Sequence, residues 1–297
     1  ILILGYTDPA RANELVEHSF AQTVMSYEYA EKLKESLSAK KLRIHVKIDT
    51  GMRRFGFDFA NDKTISEIEK LAKSDSFILE GIFTHFAESD DLSSSFTDLQ
   101  ESRFINILDA LCEKGIEIPL IHAENSAAVL TRHNPRMNVV RPGLILWGAY
   151  PSEQVKACYL KNHPDKPLRE VMTMCARVAQ IHPVKKGDGL GYSRTYTFSK
   201  DSTVATVSAG YADGIPRSLS NKGEVTINSH RFPIVGNVCM DLLMVDITGF
   251  ENLVAVGDEV QFWGENSVSI DEAAGNAGMI NYTLYTGVSK RVEKVYE

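Results

Sequence analysis

Polar residues stand at or just after the ends of four consecutive apolar segments in the first half of the chain. They are Lys47 and Asp49, then His85, then Asn125 and Ser126, and finally Arg141. In an α/β barrel, reactive groups gather at the carboxyl ends of the strands, because these ends meet on one face. One histidine alone is more often a hydrogen-bonded structural residue, but four strand ends in succession predict a catalytic site.

The segments that carry these residues alternate between strand and helix patterns. The predicted strands are Ile1–Leu4, Gln22–Met25, Leu42–Ile48, Leu79–Thr84, Pro119–His122 and Asn138–Arg141. The predicted helices run from Asp8 to about Ser19, from Ser26 to about Ala39, over Thr64–Ala72, and from Phe96 to Gly115. This alternation predicts a parallel α/β sheet. A TIM-type (β/α)8 barrel needs two further units, and we expect them upstream because the chain opens inside an apolar run without Met. A doubly wound open sheet is the alternative.

The second half of the chain has a different pattern, in which short alternating segments are separated by glycine and aspartate. These segments are Thr173–Ile181, Thr203–Ser208, Glu224–Asn228, Met240–Ile247 and Glu259–Trp263. They predict a mostly antiparallel β domain. A polar stretch at residues 161–167 separates the two halves, so we expect domains at residues 1–162 and 163–297.

Composition excludes several other functions. The formal net charge is -7, whereas a nucleic-acid-binding surface is basic. No apolar run approaches the roughly 18 residues of a membrane span, and nothing resembles a signal peptide. The four cysteines are widely spaced and form no CxxC pair. This favours reduced thiols and a cytoplasmic location over a disulfide framework or a zinc site.

A series of motifs resembles those of the alanine racemase family. The segment KIDTGMRRFG at residues 47–56 is similar to the family's KxDTGMxRxG, HAENSAA at 122–128 to its HxxNSAA, and RPG at 141–143 to its phosphate-binding RPG. In the second half, GYSRTY at 191–196, GYADG at 210–214, CMD at 239–241 and NY at 281–282 match as well. The motifs cover essentially the whole chain in the family's order, so the resemblance is highly specific.

The resemblance implies a pyridoxal-phosphate-dependent racemase that interconverts L- and D-alanine, L- and D-serine, or both, for cell-wall precursors. Pyridoxal phosphate takes up the charge left when a Cα proton is removed, and inversion needs a second group on the opposite face. By resemblance, one of these two groups is the cofactor-binding lysine and the other is Tyr192. The lysine belongs in a segment like VKANAYGHG, which this sequence lacks, and we expect it in upstream residues.

Arg141 and His85 complete the implied catalytic group. The family places Arg141 against the pyridine nitrogen of the cofactor, and because arginine stays protonated, it leaves that nitrogen unprotonated. The cofactor is then a weaker electron sink, which favours return of the proton to Cα over transamination. The family also joins His85 and Arg141 to Tyr192 by hydrogen bonds, and nearby positive charge would favour the phenolate of Tyr192. Without the resemblance, Tyr192 would be interpreted as a turn aromatic packing beside Gly191. The alternative for Arg141 is a surface salt bridge.

The remaining implied contacts involve the phosphate, the substrate and a modified lysine. The phosphate contacts are Ser126, Gly143 and Leu144 by their backbones and Tyr282 by its hydroxyl. The substrate contacts are Arg54, Met240, Asp241 and Asn281. Lys47 matches a position that is carbamylated in some family members, where it positions the arginine.

The resemblance also implies a homodimer with shared active sites. Tyr192, Met240 and Asp241 belong to the β domain, yet in this family they complete the site of the other subunit. The alternative is that the β domain folds back on its own barrel. The chain also resembles the vancomycin-resistance serine racemases, whose catalytic domain follows a membrane domain. In that branch, we expect the upstream part to include membrane helices and this chain to be the cytoplasmic domain.

Two positions depart from the family's pattern, and they put the substrate in doubt more than the reaction. Asn237 stands where arginine is common, and Trp147 stands where tyrosine is common. An apolar pocket rejects an added hydroxyl by only about a hundredfold, and Asn281 is a polar group that could accept serine. Two other activities stay open. One is a barrel that only binds pyridoxal phosphate, which usually lacks a β domain. The other is a decarboxylase of the same fold, which needs a catalytic cysteine, whereas Cys239 lies in the racemase motif.

Overall fold

The computed structural model describes residues 1–38 and 40–296. Contacts divide the chain into two units. The first unit comprises Ile1–Gly143 and Pro151–Pro167, and the second comprises Leu144–Tyr150 and the chain from Leu168 onwards. The chain therefore passes from one unit to the other more than once, and the last helix before the final crossing ends at Asn162.

The first unit is built on a parallel sheet. Its strands are Leu2–Ile3 (β1), Ala21–Val24 (β2), Leu42–Asp49 (β3), Phe57–Asp58 (β4), Phe77–Phe83 (β5) and Leu120–His122 (β6). Its helices are Ala12–Glu17 (α1), Tyr27–Ser36 (α2), Thr64–Ala72 (α3), Phe96–Glu113 (α4), Ser126–Thr131 (α5) and Glu153–Asn162 (α6). The strands pair in the order β1-β2-β3-β5-β6, β4 adds to β3, and every pairing is parallel. The predicted barrel-type α/β fold is confirmed, as an open half-barrel with helices.

Strand β3 shows how the sequence separates the two faces of this sheet. One set of alternate residues is fully buried in the hydrophobic core: Leu42, Ile44, Val46 and Ile48. The other set is polar: Arg43, His45, Lys47 and Asp49. Because side chains alternate between the two faces of a strand, one face packs against the apolar sides of the helices. The other face carries the charged and polar groups of the candidate site.

The predicted strand at Asn138–Arg141 does not form a regular strand. The N–H groups of Asn138 and Val139 both donate to the carbonyl oxygen of Ile121. The side chain of Asn138 accepts the N–H of Ile121 at 2.8 Å. A side chain thus occupies the position of a backbone acceptor, and the ladder cannot continue. Arg141 therefore lies in a loop beside β6.

Two helix predictions change at their ends. Asp8 caps a short 3-10 turn at Pro9–Arg11, and the α-helix itself starts only with α1. Ser26 caps α2, with its Oγ accepting from the N–H of Tyr29 at 3.1 Å. That helix ends at Ser36 because Leu37 is extended, and the predicted end at Ala39 lies outside the described residues. The helix predicted over Thr64–Ala72 is α3, with the same bounds.

The second unit is an antiparallel β barrel, as predicted for the second half. Its strands are Met174–Val184 (β7), Gly189–Leu190 (β8), Tyr196–Thr197 (β9), Ser202–Val207 (β10), Glu224–Ile227 (β11), His230–Val235 (β12), Leu243–Asp246 (β13) and Glu259–Trp263 (β14). The barrel closes in the order β10-β13-β12-β11-β14-β7, and β8 and β9 form a separate two-stranded sheet. The helices Ile270–Ala277 (α7) and Asn281–Gly287 (α8) come last. Across the described residues, no helix is both long and apolar enough to cross a membrane.

Strand β12 was not predicted, and the start of β13 was predicted too early. The turn before β12 uses Asn228 and Ser229, with φ angles of 49° and 65°, which is the backbone of a tight hairpin turn. The strand predicted from Met240 begins at Leu243, because the N–H of Cys239 donates to the carbonyl of Leu242 and closes a turn. Both errors lie at turns whose geometry the apolar pattern does not reveal.

Candidate active site

The loop after β3 is held by the side chain of Asp49. Its Oδ1 accepts hydrogen bonds from the N–H groups of Gly51 at 2.9 Å and Arg53 at 3.0 Å. Gly56 has a φ of 135°, and a Cβ at this position would lie 2.7 Å from the backbone nitrogen of Asp49. Only glycine permits this close return of the chain. The loop leaves Arg54 exposed, so that its guanidinium is accessible to a carboxylate.

Lys47 is buried on the polar face of β3, with 2% of its surface exposed. Its Nζ lies 3.8 Å from the centre of the Phe55 ring, and it forms no hydrogen bond or ion pair with the described residues. Burial is the main cause that lowers the pKa of Lys47 to about 8, and the charge of Arg54 is the second. Asp49 acts in the opposite direction. Roughly a tenth of this amine is therefore neutral, and so nucleophilic, at pH 7.

Arg141 lies at the centre of the polar cluster. Its Nη1 lies 2.6 Å from Nδ1 of His122. Its Nη2 donates to the carbonyl oxygens of Thr84 at 2.8 Å and Ala123 at 2.9 Å, and lies 3.3 Å from Nδ1 of His85. Burial lowers the pKa of Arg141 to about 10, so it stays charged at neutral pH. Among the described residues, no acceptor faces its Nε–H or the second hydrogen of Nη1, which leaves two donors for a ligand.

The histidines beside Arg141 are neutral at physiological pH. Burial, and next the charge of Arg141, lowers the pKa of His122 to about 3 and that of His85 to about 4. The ring of Phe83 stacks on His122, with 4.7 Å between ring centres. In this state of the site, the positive charge that would favour the phenolate of Tyr192 comes from Arg141. His85 can act as a hydrogen-bonding group, while Arg141 carries the charge.

Ser126 and Gly143 join two of the motifs. Asn125 caps α5, with its Oδ1 accepting from Ala128, and Ser126 is the first residue of that helix. The N–H of Gly143 donates to Oγ of Ser126 at 2.9 Å. That N–H is therefore already engaged, whereas the hydroxyl hydrogen of Ser126 remains available to an anion. Leu144, the next residue in the chain, is buried at the start of a 3-10 turn.

Gln100 is a buried polar residue of this region that was not predicted from the sequence. Its Nε2 donates to the carbonyl of His85 and to Oγ1 of Thr50, both at 3.1 Å. Its Oε1 accepts the N–H of Ala87 at 2.8 Å. The side chain thus ties α4 to the loops after two strands. Its helical position, three and four residues from buried Thr97 and Phe104, is the signal that could have identified it.

In the second unit, Tyr192 lies in a short 3-10 turn between β8 and β9. Gly191, Ser193 and Arg194 around it have φ angles of 64°, 60° and 48°, an unusual run that turns the chain sharply. The side chain of Asn237 donates to the carbonyl of Tyr192 at 2.7 Å. The Tyr192 side chain itself is 72% exposed. The residue that departs from the family's arginine thus supports the tyrosine turn through its amide.

Met240 and Asp241 lie on the turn that precedes β13. Met240 is 54% exposed, and its carbonyl accepts the N–H of Ala212 at 3.0 Å. Arg291, which was not predicted, donates to Asp241 at 2.6 Å and to Asp213 at 2.7 Å. Burial would raise the pKa of Asp213, but hydrogen bonds from Arg291 and from a backbone N–H lower it. The arginine therefore joins the two acidic motifs of this unit.

The side chain of Asn281 is directed into its own unit. The residue is buried at the start of α8, and its Nδ2 donates to the carbonyl of Tyr150 at 3.0 Å and to Asp271 at 2.6 Å. Both amide hydrogens are thus engaged, which does not fit the idea that they receive a serine hydroxyl. Tyr282, the next residue, is 42% exposed. Trp147, the other departure from the family, packs against Tyr285 in a tilted arrangement with 5.6 Å between ring centres.

These features define a class of enzyme with two domains. One is an α/β half-barrel that holds the buried Lys47 and Arg141 at its strand ends, and the other is an antiparallel β barrel. Sequence models of the N-terminal and C-terminal domains of alanine racemase match residues 1–151 and 171–296. Alanine racemase 1 of Clostridium acetobutylicum is 39% identical, with all of this chain and 76% of that protein aligned. The alanine racemase of Methanococcus maripaludis is also 39% identical, with 78% of that protein aligned.

Solved structures agree with these matches. An alanine racemase of Clostridium difficile superimposes with a TM-score of 0.89 at 37% identity, covering 98% of this chain and 75% of that one. The Bacillus anthracis alanine racemase with bound L-Ala-P gives a TM-score of 0.86 at 33% identity, covering 98% and 74%. The chain belongs to the alanine racemase family, which depends on pyridoxal phosphate, and the family prediction is confirmed.

Proposed function

We propose that the protein is a pyridoxal-phosphate-dependent racemase that interconverts L- and D-alanine and so supplies D-alanine for cell-wall precursors. The observation that carries this proposal is the environment of Arg141. A buried guanidinium with a pKa of about 10 stays charged at neutral pH and keeps two donors for a ligand. Such a group can bind the pyridine nitrogen of the cofactor through a hydrogen bond without giving up its proton.

The residues of the first unit fit the cofactor at two points. The Nε–H of Arg141 suits the lone pair of a ring nitrogen, and the hydroxyl of Ser126 suits a phosphate oxygen. Tyr282 and the backbones of Gly143 and Leu144 complete the proposed phosphate contacts. Since the N–H of Gly143 is held by Ser126, we expect the hydroxyl of Ser126 to make the main contact. The bound cofactor supplies an electron-withdrawing ring that makes the Cα proton of an amino acid acidic.

The proton transfer itself is assigned to Tyr192, with support from Arg141 and His85. Tyr192 holds or releases a proton at its hydroxyl, on the face of Cα opposite to a lysine amine. His85 is neutral, and we propose that it orients the tyrosine by a hydrogen bond rather than by charge. An unprotonated ring nitrogen beside Arg141 favours return of the proton to Cα, because the charge is less delocalised.

We assign substrate binding to groups in the KIDTGMRRFG and CMD motifs, at residues 47–56 and 239–241. The guanidinium of Arg54 and the backbone of Met240 are proposed to meet the substrate carboxylate, with Asp241 beside them. Asn281 is proposed to contact the substrate only through its Oδ1, because both hydrogens of its Nδ2 already donate to other groups. This engagement disfavours serine, and the relatives are named alanine racemases, so alanine is the proposed substrate.

Carbamylation of Lys47 is a further part of the proposal. The lowered pKa of about 8 gives the neutral amine that reacts with carbon dioxide, and the resulting carbamate would face the positive charge of Arg54. The test is NMR spectroscopy of protein prepared with carbon-13 bicarbonate. A carbamate signal is expected that is absent from Lys47→Ala, and a spectrum without that signal would contradict the modification.

We also propose a homodimer in which Tyr192, Met240 and Asp241 complete the active site of the second copy. The proposal is supported by the exposure of Tyr192 and Met240, two large side chains that a shared site would cover. Analytical ultracentrifugation tests the oligomeric state. Mixing Tyr192→Phe with Arg141→Ala protomers tests the sharing, because a mixed dimer then contains one intact site and recovers activity. A cytoplasmic location stays a prediction.

The decisive experiment uses the full-length natural protein with pyridoxal phosphate. It is incubated separately with L-alanine and L-serine in deuterated water, and Cα deuteration is followed together with the chirality of the product. Deuterated D-alanine is expected, at a higher rate than D-serine. Cofactor binding without exchange on either substrate would favour a carrier, and release of carbon dioxide would favour a decarboxylase.

A further inference from the structure

A chain of hydrogen bonds leads from Arg141 along the sheet, away from the strand ends. Nε2 of His122 lies 2.9 Å from Nδ1 of His45. Nε2 of His45 lies 3.2 Å from Oε2 of Glu80. The other oxygen of Glu80 accepts a hydrogen bond from Arg43 at 3.0 Å. The buried guanidinium is therefore connected to a carboxylate through two imidazole rings.

The direction of donation in this series of hydrogen bonds is set at both ends, because Arg141 can only donate and the carboxylate of Glu80 can only accept. Arginine carries only donors, so Nδ1 of His122 must accept from Arg141. A neutral imidazole with an accepting Nδ1 has its proton on Nε2, and that proton points at His45. By the same rule, His45 accepts at Nδ1 and donates from Nε2 to the carboxylate. Burial lowers the pKa of both histidines, which agrees with two neutral rings.

Two features of the sequence make this series of hydrogen bonds possible. In the pairing of β3 with β5, Ile44 faces Leu79 but His45 faces Gly81, so Glu80 is the extra residue of a β-bulge. A bulge re-aims a side chain, and here it brings the carboxylate to both Arg43 and His45. A Cβ on Gly81 would lie 2.3 Å from Nδ1 of His45. Glycine at this position therefore leaves the space in which the two rings meet.

We propose that Glu80 and His45 are positioning residues for Arg141. The carboxylate fixes the tautomer of His45, and through it that of His122, so that a lone pair always faces the guanidinium. Without the carboxylate, only Arg141 opposes reversal of the two rings, and in the reversed form His122 directs an N–H at Arg141 and displaces it. The catalytic consequence rests on the proposed function, in which Arg141 meets the cofactor, whereas the hydrogen-bond chain does not depend on it.

The first test is nitrogen-15 NMR spectroscopy of the histidine rings in the full-length protein at pH 7. Both His45 and His122 are expected to show an unprotonated Nδ1 and a protonated Nε2, with signals assigned by single substitutions of each histidine. Glu80→Leu is expected to produce a mixture of tautomers at both rings, and Glu80→Gln to retain one, because its amide oxygen can still accept. A protonated Nδ1 on His122 of the unaltered protein, or a Glu80→Leu spectrum without change, would overturn the proposal.

The second test measures racemisation of alanine. Glu80→Leu is expected to lower kcat about tenfold with little change in KM, the lower end of the loss seen when a partner that orients a metal-binding histidine is removed. Glu80→Gln is expected to recover most of that loss. Glu69 is a matched control, because its side chain is 24% exposed like that of Glu80 and it pairs with two lysines on the surface. Glu69→Leu is expected to leave kcat unchanged.

A second variant covers failure of Glu80→Leu to fold. His45→Leu has a side chain of similar volume and removes the acceptor of His122, so mixed tautomers of His122 and the same loss in kcat are expected. The two proposals fail in different ways. An inactive but folded natural protein contradicts the racemase function, while the NMR spectra still decide the hydrogen-bond chain. An active protein whose Glu80 and His45 variants keep both kcat and the histidine spectra contradicts only the positioning role.

Discussion

The two units hold their candidate site residues in opposite ways. In the first unit, Lys47, His122 and Arg141 are buried or half-buried on the polar face of the sheet, where Arg141 has four protein partners. In the second unit, Tyr192 and Met240 extend from turns with most of their side chains exposed. The first unit therefore fixes its chemistry in advance, since a buried charge must be satisfied by the protein. The second unit fixes only the backbone beneath its site residues.

This difference separates function from stability. A substitution of an exposed turn side chain should affect activity without weakening the fold. A substitution in the buried cluster should affect both, because it leaves other polar groups without partners. Matched substitutions in the two units therefore test this difference.

The largest effect on activity is expected for Tyr192→Phe. Loss of a proton-transferring hydroxyl lowers rates by roughly 10²–10⁴-fold, so the loss in kcat should be within this range. The melting temperature should not change, because the side chain is exposed. The measurements are chiral analysis of the product and calorimetry. Tyr296→Phe, at another exposed tyrosine of the same unit and outside the motifs, is the control and should keep full activity. A marked fall in melting temperature for Tyr192→Phe would contradict the view that the exposed turn residues contribute to activity and not to stability.

Arg141→Ala is expected to lower activity by about 10²–10³-fold, the usual cost of removing a preorganised donor, and also to weaken the fold. The carbonyls of Thr84 and Ala123 and the ring of His122 would lose their donors. Urea titration should show a clear loss of unfolding free energy, unlike for Tyr192→Phe. Arg141→Lys keeps the charge but not the planar fork, and should recover stability more than activity. Activity of Arg141→Lys equal to that of the unaltered protein would show that charge alone is needed.

The outline of both units could be predicted from the sequence, while the hydrogen-bond partners could not. The alternation in β3 gave its bounds to within one residue, because one face is entirely apolar. The motif residues at the strand ends were found because their types are unusual there. His45, Glu80 and Gln100 were missed, since each lies inside a strand or helix pattern. Their roles depend on a bulge and on side-chain directions that the linear pattern does not contain.

Acidification is expected to weaken the first unit before the second. The pKa of His122 is lowered to about 3 and that of His85 to about 4, whereas an unfolded histidine has a pKa near 6.5. Below pH 6.5, the histidines of the unfolded chain bind protons, whereas the rings of His85 and His122 in the folded chain stay unprotonated. The contribution of these two rings to the free energy of unfolding is therefore fully present above pH 6.5. It is lost as the pH falls towards 4, by up to about 1.4 kcal/mol per pH unit for each ring.

Hydrogen exchange resolved by peptide tests this between pH 7 and pH 4.5. Protection of β3, β5 and β6 should fall first, with β10 and β13 losing protection at lower pH. In His122→Gln, the pH dependence of the first unit should be shallower. Simultaneous loss of protection in both units would mean that they unfold together, and the contrast between them would not extend to stability.

The smallest effect is expected for Arg291→Gln. Its guanidinium joins Asp213 to Asp241 on the surface of the second unit. Asp213 keeps its backbone donor at Gly210, so the turn should hold while Asp241 becomes free to move. An exposed ion pair contributes little, so KM for alanine should rise by less than about fivefold at constant kcat. Arg231→Gln is the matched control, because Arg231 also pairs with two carboxylates and is similarly exposed. If it raises KM equally, the effect is general weakening of the barrel surface; if only Arg291→Gln does so, Asp241 belongs to the substrate site.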